Sequence, residues 1–115
     1  MFGERSARAV RARLESCERL YSANLLEAEL RAALTREQAA WNPELVAALG
    51  WVLPARRLTG EIDRVLAAGY LRGADLWHVA CALHLRDALG ELEFVTLDGG
   101  QREVAEAAGL NAPSV

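Results

Sequence analysis

Apolar residues recur at helical spacing within residues 71–98, the part of the chain with the clearest pattern. Four of them occupy positions i, i+3, i+4 and i+7 of one stripe: Leu76, Val79, Ala80 and Leu83. Asp75 stands at the expected start of this helix, where a carboxylate meets free N–H groups and the positive end of the helix dipole. The pattern therefore predicts an amphipathic helix that begins close to an acid.

A short β-prone run follows this helix and is predicted to be a buried strand. Residues 94–97 read Phe-Val-Thr-Leu, and the sequence Asp-Gly-Gly stops the run at Asp98. A helix followed by a buried strand indicates an α/β fold. In parallel α/β sheets, ligands collect beyond the carboxyl ends of the strands, and Asp98 is expected at such an end.

The remaining segments continue this alternation of helices and strands. Strands are predicted at 19–22 and 51–53, and helices at 4–18, 22–41, 42–49, 59–69 and 100–108. Strands that alternate with helices are typical of a parallel sheet with helices on both faces. The chain of 115 residues is long enough for one domain, which we expect to span residues 1–115.

Composition and charge narrow the class of protein. No apolar run approaches the roughly 20 residues that span a membrane, and the N-terminus has no apolar core of a secretory signal, so a cytoplasmic protein is expected. All 13 basic residues are arginine, and the net charge is -3. A nucleic-acid substrate would therefore need a local arginine patch, or metal ions that offset the acids.

The cysteines and histidines do not indicate a zinc site. Cys17 and Cys81 are far apart and lack Cys-x-x-Cys spacing, so two small buried thiols are expected. His78 lies one helical turn beyond Asp75. It is interpreted as a packed histidine bonded to backbone, the alternative being a helper near a bound phosphate. His84 is expected at the surface.

The exposed basic pair and the tryptophans are interpreted as structural. Arg56 and Arg57 are adjacent in a segment that follows a proline, which is typical of ordinary surface. Trp41, Trp51 and Trp77 are interpreted as core or dimer contacts rather than as platforms for nucleic-acid bases.

Three acids follow a predicted strand or begin a helix that follows one: Glu29, Asp75 and Asp98. In a parallel sheet such residues can converge on one edge. Clustered carboxylates repel one another and persist with a cation between them, and hard oxygen ligands select Mg²⁺ or Mn²⁺. Such an ion activates water and neutralises a phosphodiester during hydrolysis. Acids at helix starts are also routine caps, so these residues are equally compatible with a structural role.

Three stretches resemble the body of PIN domains: SANLLEAELRAAL, LRGADLWHVACAL and FVTLDGGQREVAEAAGL. They are most similar to the small ribonucleases that are the toxins of VapBC toxin–antitoxin pairs. The similarity covers residues 19–110, and its most specific parts are Asp75 with its helix and the Thr96–Asp98 strand end with Gly109 downstream. The resemblance implies a PIN-like three-layer sandwich, an α/β fold, and a metal-dependent endoribonuclease.

The resemblance also implies which residues and partners take part. Glu29, Asp75 and Asp98 match the acids of the family's site, so they are expected both to bind Mg²⁺ or Mn²⁺ and to serve in catalysis. Thr96 matches a hydroxyl residue beside that site. The implied partners are an RNA substrate, a cognate antitoxin protein and a second copy of the chain in a homodimer, without a membrane.

The chain departs from the family at its beginning. Relatives start with a central strand that carries an aspartate and, two positions later, a small hydroxyl residue, whereas the first aspartate here is Asp63. Losing that strand removes one metal ligand and leaves inner strand edges unpaired, at about 1–3 kcal/mol for each buried unpaired group. Either Met1 is an internal methionine of a longer protein, which the intact core pattern favours, or the chain is N-terminally truncated.

Two alternative functions remain open at this point. A truncated, catalytically inactive PIN relative would act as a module that binds an antitoxin or a second copy of itself. Another small α/β module, such as a phosphatase or a signalling receiver, would need an aspartate at the end of its first strand. The chain offers no such early motif.

Overall fold

The computed structural model describes residues 20–23, 28, 31–32, 35–36, 38, 40 and 49–114. Within this part, two strands precede three helices in chain order. The strands are β1 (Leu20–Ala23) and β2 (Leu49–Val52), and the helices are α1 (Thr59–Ala68), α2 (Gly73–Leu89) and α3 (Gly99–Ala107). The predicted helices at 4–18 and 42–49 fall outside the described residues, apart from Leu49, which belongs to β2.

The two strands pair in parallel over their four residues. Leu20 lies opposite Leu49, and Ala23 lies opposite Val52. Both strands lie within two residues of the segments predicted as β-prone. Between them the described residues 28, 31–32 and 35–36 are helical, as predicted for 22–41, whereas residues 22–23 belong to β1 and Gln38 and Ala40 are not helical.

Helix α1 follows its predicted range but buries a different face. Gly69 ends it, and its N–H donates to the carbonyl of Val65 at 3.0 Å. The apolar spacing predicts Ile62, Val65 and Leu66 on the inward face; Val65 is fully buried, whereas Leu66 is 46% exposed. The inward position is occupied by Glu61, four residues before Val65 on the same side of the helix.

Helix α2 is the central element of the described part. Val79, Ala80 and Leu83 are fully buried, which confirms the predicted stripe. The neighbouring residue Cys81 is buried as well, as predicted for this thiol. Because apolar side chains lie on both sides of the helix, α2 packs against two separate hydrophobic clusters.

The first cluster lies between α1, α2, α3 and the C-terminal segment. Its buried members from the helices include Val65, Val79, Leu83 and Ala105. The second cluster lies on the other side of α2, towards the strands. It consists of the buried residues Val52, Leu58, Ala80 and Cys81, with Tyr21, Ile62, Trp77 and Leu85 packed against them.

The C-terminal end of α3 is held by two arginines from other helices. Arg64 of α1 donates to the carbonyl of Ala108 at 3.2 Å, and Arg86 of α2 donates to the carbonyl of Gly109. Cations there complement the negative end of the helix dipole. Gly109 adopts φ +105°, a conformation that favours glycine, and this turns the chain out of the helix.

The predicted three-layer α/β sandwich is wrong for the described part of the chain. Three helices make up most of it, and its paired strands are four residues long, too short to form a central sheet layer. Residues 94–97 do not form a strand. The nearby pairing is a single bridge between Glu93 and Asn111, with the N–H of Phe94 donating to the carbonyl of Asn111 at 2.7 Å.

Residues 94–96 are only partly buried, Leu97 is 39% exposed, and within the described ranges no strand lies beside them. Phe94 packs against the first cluster, which accounts for the apolar pattern. Thr96 makes its hydrogen bonds to groups at the start of α3 instead of to a sheet. This segment therefore packs against the core without pairing as a strand. None of the described helices is long and apolar enough to cross a membrane.

Candidate acidic site at the starts of two helices

Asp98 is the residue that caps the start of α3. Its carboxylate oxygen Oδ1 accepts a hydrogen bond from the backbone N–H of Gln101 at 3.0 Å. Asp98 has extended backbone angles, φ -85° and ψ 111°, as expected of an N-cap. Two glycines follow it, and a Cβ on Gly100 would stand 3.3 Å from Oδ1, so a small residue suits this tight approach.

Thr96 fixes the approach to this cap. Its hydroxyl donates to the side-chain oxygen Oε1 of Gln101 at 2.7 Å and accepts from the backbone N–H of Asp98 at 3.1 Å. The hydroxyl therefore uses its donor and an acceptor at once, between the loop and the helix. A hydroxyl residue beside the acidic site was expected from the sequence, and Thr96 is bonded directly to Asp98.

Gln101 connects the start of α3 to the start of α2. The residue is buried, with 7% of its surface exposed. Its side-chain Nε2 donates to the backbone carbonyl of Asp75 at 3.3 Å, while its backbone N–H donates to Asp98. One buried residue thus holds two predicted site residues, which are 23 positions apart in the chain, in fixed relation to each other.

Asp75 lies in the first turn of α2 and is half-buried. The helix starts at Gly73. The preceding residue, Arg72, has an extended backbone, and its side chain makes no capping hydrogen bond. An acid in this turn is favoured by the positive end of the helix dipole. Both Asp75 and Asp98 therefore sit where helix geometry stabilises a negative charge.

Of the three predicted acids, two lie at helix starts that one residue links, through the backbone carbonyl of Asp75 and the carboxylate of Asp98. Glu29 lies outside the described residues, so its place in the site stays a prediction. Within the described ranges, no three histidine, cysteine, aspartate or glutamate side chains are grouped so that they could hold a metal ion. Asp75 and Asp98 are linked as a pair through Gln101.

A carboxylate pair at two helix starts can assist chemistry on a phosphate if a cation is bound. Mg²⁺ is typically held by one or two carboxylates together with substrate phosphates and water, which fits two acids. The cap of Asp98 involves Oδ1, and a carboxylate has a second oxygen that can face a cation. The cap alone stabilises α3 by about 1 kcal/mol, which is sufficient to explain Asp98 structurally.

Sequence reasoning missed Gln101, although the sequence carries a signal for it. Asp98-Gly-Gly-Gln101 has the spacing of a capping box, in which the fourth residue reaches back to the helix start. Here the glutamine side chain instead bonds Thr96 and the carbonyl of Asp75. The capping-box spacing points to Gln101, but only the packing of α3 on α2 supplies its second partner.

Glu61 is the second residue that the sequence analysis overlooked. Its carboxylate accepts two hydrogen bonds from the guanidinium of Arg56, at 3.2 and 2.7 Å. These bonds, aided by the charges of Arg56 and His84, lower the pKa of Glu61 below its ordinary value. His84, expected at the surface, has a 31% exposed side chain with Nδ1 3.8 Å from Glu61. Burial raises the pKa of Cys81 to about 11, with a contribution from Glu61.

His78 is half-buried one helical turn beyond Asp75, and its role beside a phosphate stays a prediction. No protein-family model, curated protein or solved structure matches this chain. The resemblance to the toxin ribonucleases likewise stays a prediction.

Proposed function

We propose that this chain binds Mg²⁺ or Mn²⁺ through Asp75 and Asp98 and hydrolyses RNA phosphodiester bonds. One observation supports the proposal above all others. The buried Gln101 holds the two acids' helix starts against each other, with its backbone N–H on Asp98 and its side chain on the carbonyl of Asp75. Two acids that are 23 positions apart in the sequence therefore lie at linked helix starts.

The residues of this site have separate tasks in the proposed reaction. When bound, the cation would supply an activated water and offset the charge of the phosphate. Asp98 is held in one orientation by its cap, and Thr96 fixes the loop before it. This rigidity lowers the cost of ordering the acids around a substrate, because the groups are already in place before binding.

We propose RNA as the substrate because of two properties, the charge of the chain and its resemblance to the toxin ribonucleases. The net charge of -3 and the two acids repel a polyanion unless a cation is present. The segments around Asp75 and Asp98 resemble those of the toxin ribonucleases of VapBC pairs. On this reading the chain is a toxin whose activity a cognate antitoxin silences, and which acts as a homodimer. Glu29 is proposed as the third acid.

The sharpest test of this proposal replaces Asp98 with asparagine. Asparagine caps a helix as well as aspartate does, so Asp98→Asn keeps α3 intact while it removes the charge. We expect cleavage of a fluorescent single-stranded RNA in Mg²⁺ or Mn²⁺ to fall about 100-fold or more, with an unchanged melting temperature. Asp75→Asn is expected to do the same.

The matched control is Asp63→Asn on the exposed side of α1, which makes the same chemical change away from the site. It should leave both cleavage and melting temperature unchanged. Cleavage should also stop in EDTA and return when metal is restored. Full activity in Asp98→Asn, or wild-type cleavage that EDTA does not affect, would contradict the proposal.

A second candidate is a non-enzymatic module that binds a partner, either an antitoxin or a second copy of the chain. Exposed apolar side chains favour it, because Tyr70 is 80% exposed and Leu53 is 71% exposed. This candidate predicts a stable dimer or complex without RNA turnover. Light scattering across protein concentrations, for wild type and Tyr70→Ser, distinguishes it. A monomer at all concentrations that also fails to bind a protein partner would exclude it.

A further inference from the structure

The segment of residues 69–72 connects α1 to α2 and is fixed on its inner side. The backbone of Gly69 lies against α3, where an added Cβ would stand 2.8 Å from Cγ2 of Val104. Leu71 packs against the first cluster. Both ends of the segment have extended backbone angles, at Gly69 and at Arg72. The segment is therefore an extended stretch of chain that two inward contacts hold on the helices.

The residues between these contacts point outward. Tyr70 is 80% exposed and Arg72 is also exposed, so burial alternates with the period of two that is typical of an extended chain. Side chains two positions apart in such a chain stand about 6–7 Å from each other. In the described part of the chain, neither side chain makes a hydrogen bond or an ion pair. The segment thus presents an aromatic ring and a cation side by side.

This segment also leads directly into the first turn of α2. The carbonyl of Arg72 accepts a hydrogen bond from the N–H of Leu76 at 2.7 Å, so Arg72 belongs to the same turn as Asp75. Residues three apart on a helix are neighbours, with about 5–6 Å between their Cβ atoms. A group bound by the guanidinium of Arg72 therefore lies next to the proposed cation site.

An open aromatic ring beside an arginine fits one kind of ligand in particular. Bases of a single strand stack on aromatic rings, and a phosphate accepts hydrogen bonds from a guanidinium. The net charge of -3 requires a local positive group for such a polyanion. Arg72 supplies that charge beside Asp75, at the point where the proposed reaction takes place.

We propose that the 69–72 segment binds single-stranded RNA, with a base stacked on Tyr70 and a neighbouring phosphate bonded to Arg72. The inference rests on the proposed function for the identity of the strand as RNA. It deepens that function, because it assigns substrate binding to residues outside the acidic site. The segment holds the strand, and the phosphate that it binds lies next to Asp75.

The test measures RNA binding separately from cleavage. A fluorescein-labelled single-stranded RNA is titrated with the protein in EDTA at low salt, and its anisotropy gives the Kd. The acids repel the strand equally in every variant of the segment, so the ratios of Kd between variants report on Tyr70 and Arg72. Circular dichroism and the melting temperature check that each variant is folded.

Arg72→Gln tests the phosphate contact. The side chain is exposed and makes no capping bond, so this change should leave α2 intact. We expect it to weaken binding about tenfold. The dependence of the logarithm of affinity on the logarithm of salt concentration should become shallower by about 0.7, the value for one phosphate of a single strand. The matched control Arg57→Gln, at another exposed arginine, should change the Kd by less than twofold.

Two changes at Tyr70 test the stacking. Tyr70→Phe keeps the ring and should retain most of the affinity. Tyr70→Leu keeps an apolar side chain but has no ring, and we expect it to weaken binding about tenfold. A fully paired RNA duplex should compete poorly with the labelled strand, because its bases are not open to the ring.

Several results would overturn the inference. These are equal binding by Arg72→Gln and Arg57→Gln, equal binding by Tyr70→Phe and Tyr70→Leu, a duplex that competes as well as the single strand, and wild-type protein that binds no RNA. A wild-type dimer that Tyr70→Leu dissociates, with no change in RNA affinity, would make the segment a protein interface instead.

The inference and the proposed function can fail separately. If the variants at Tyr70 and Arg72 bind RNA as tightly as the wild type while Asp98→Asn abolishes cleavage, the function stands and the binding segment is wrong. If those variants weaken binding but the wild type cleaves no RNA in Mg²⁺ or Mn²⁺, the proposed function fails and the segment remains an RNA-binding site.

Discussion

The two sides of helix α2 are built from the same helix but carry opposite chemistry. On the side of the first cluster, the polar link is the buried amide of Gln101, which donates to the backbone carbonyl of Asp75. On the side of the second cluster, the polar link is an ion pair between Arg56 and Glu61. One polar link is therefore an uncharged amide, and the other consists of two opposite charges.

This difference shows two ways in which a small chain can join its elements. An amide such as that of Gln101 holds neighbouring groups together without adding a charge of its own. The ion pair instead balances the negative charge of the buried Glu61 with the positive charge of Arg56. Four changes test this comparison, from the largest expected effect to the smallest.

The largest effect is expected in the first cluster. Leu83→Ala removes a fully buried side chain there and should lower the free energy of unfolding by about 2–5 kcal/mol. For Leu58→Ala in the second cluster, the loss of unfolding free energy should lie at the lower end of that range. Fewer buried residues surround Leu58, and it lines an open surface depression with residues 54–57 and Trp77. Urea denaturation measures both. A larger loss for Leu58→Ala would reverse the assignment of the main core.

The next effect concerns the amide that links the two acids. Gln101→Met keeps the length of the side chain but leaves the Asp75 carbonyl and the Thr96 hydroxyl without this partner, which should cost about 1–3 kcal/mol of unfolding free energy. Glu103→Met introduces the same side chain at an exposed position of α3 and should change stability by less than about 0.5 kcal/mol. Similar values for both variants would remove Gln101 from the link.

The ion pair between Arg56 and Glu61 predicts that the stability of the fold depends on pH. Because Arg56 lowers the pKa of Glu61 in the folded state, the pair contributes stability above the ordinary value of 4.5 and loses it as pH falls through the lower folded value. The melting temperature of the wild type should therefore fall more steeply below pH 4.5 than that of Glu61→Gln. The exposed Asp63→Asn serves as control, and parallel curves for wild type and Glu61→Gln would contradict the prediction.

The smallest effect is chemical rather than energetic. Burial raises the pKa of the Cys81 thiol to about 11, so little thiolate forms at pH 8. Iodoacetamide should leave the peptide that contains Cys81 unmodified in the native protein and alkylate it completely in urea, as mass spectrometry can measure. Rapid alkylation of the native protein would mean that the second cluster opens readily.

Helix positions and helix ends were predictable from local pattern. The spacing of Val79 and Leu83 located α2 and its buried stripe, and Gly69 ended α1 as expected. Asp98 was placed at the boundary that it caps. These features depend on residues within a few positions of one another, because the hydrogen bonds and side-chain stripes of a helix are local.

The pairing of residues 94–97 was not predictable in the same way. An apolar run such as Phe-Val-Thr-Leu indicates that a segment packs against the core. A strand also needs a partner strand from elsewhere in the chain. Phe94 found a hydrophobic cluster and only a single bridge beside it. The predicted sandwich was wrong for this reason.

The sequence by itself therefore determined the three helices of residues 59–107 and the acid in the first turn of α2. Only the tertiary structure decided that Gln101 joins the starts of α2 and α3 and that Glu61 is buried against Arg56. The physical reason is distance along the chain. Helical hydrogen bonds connect residues four apart, but Asp75 and Gln101 are 26 positions apart and meet only when α3 packs on α2.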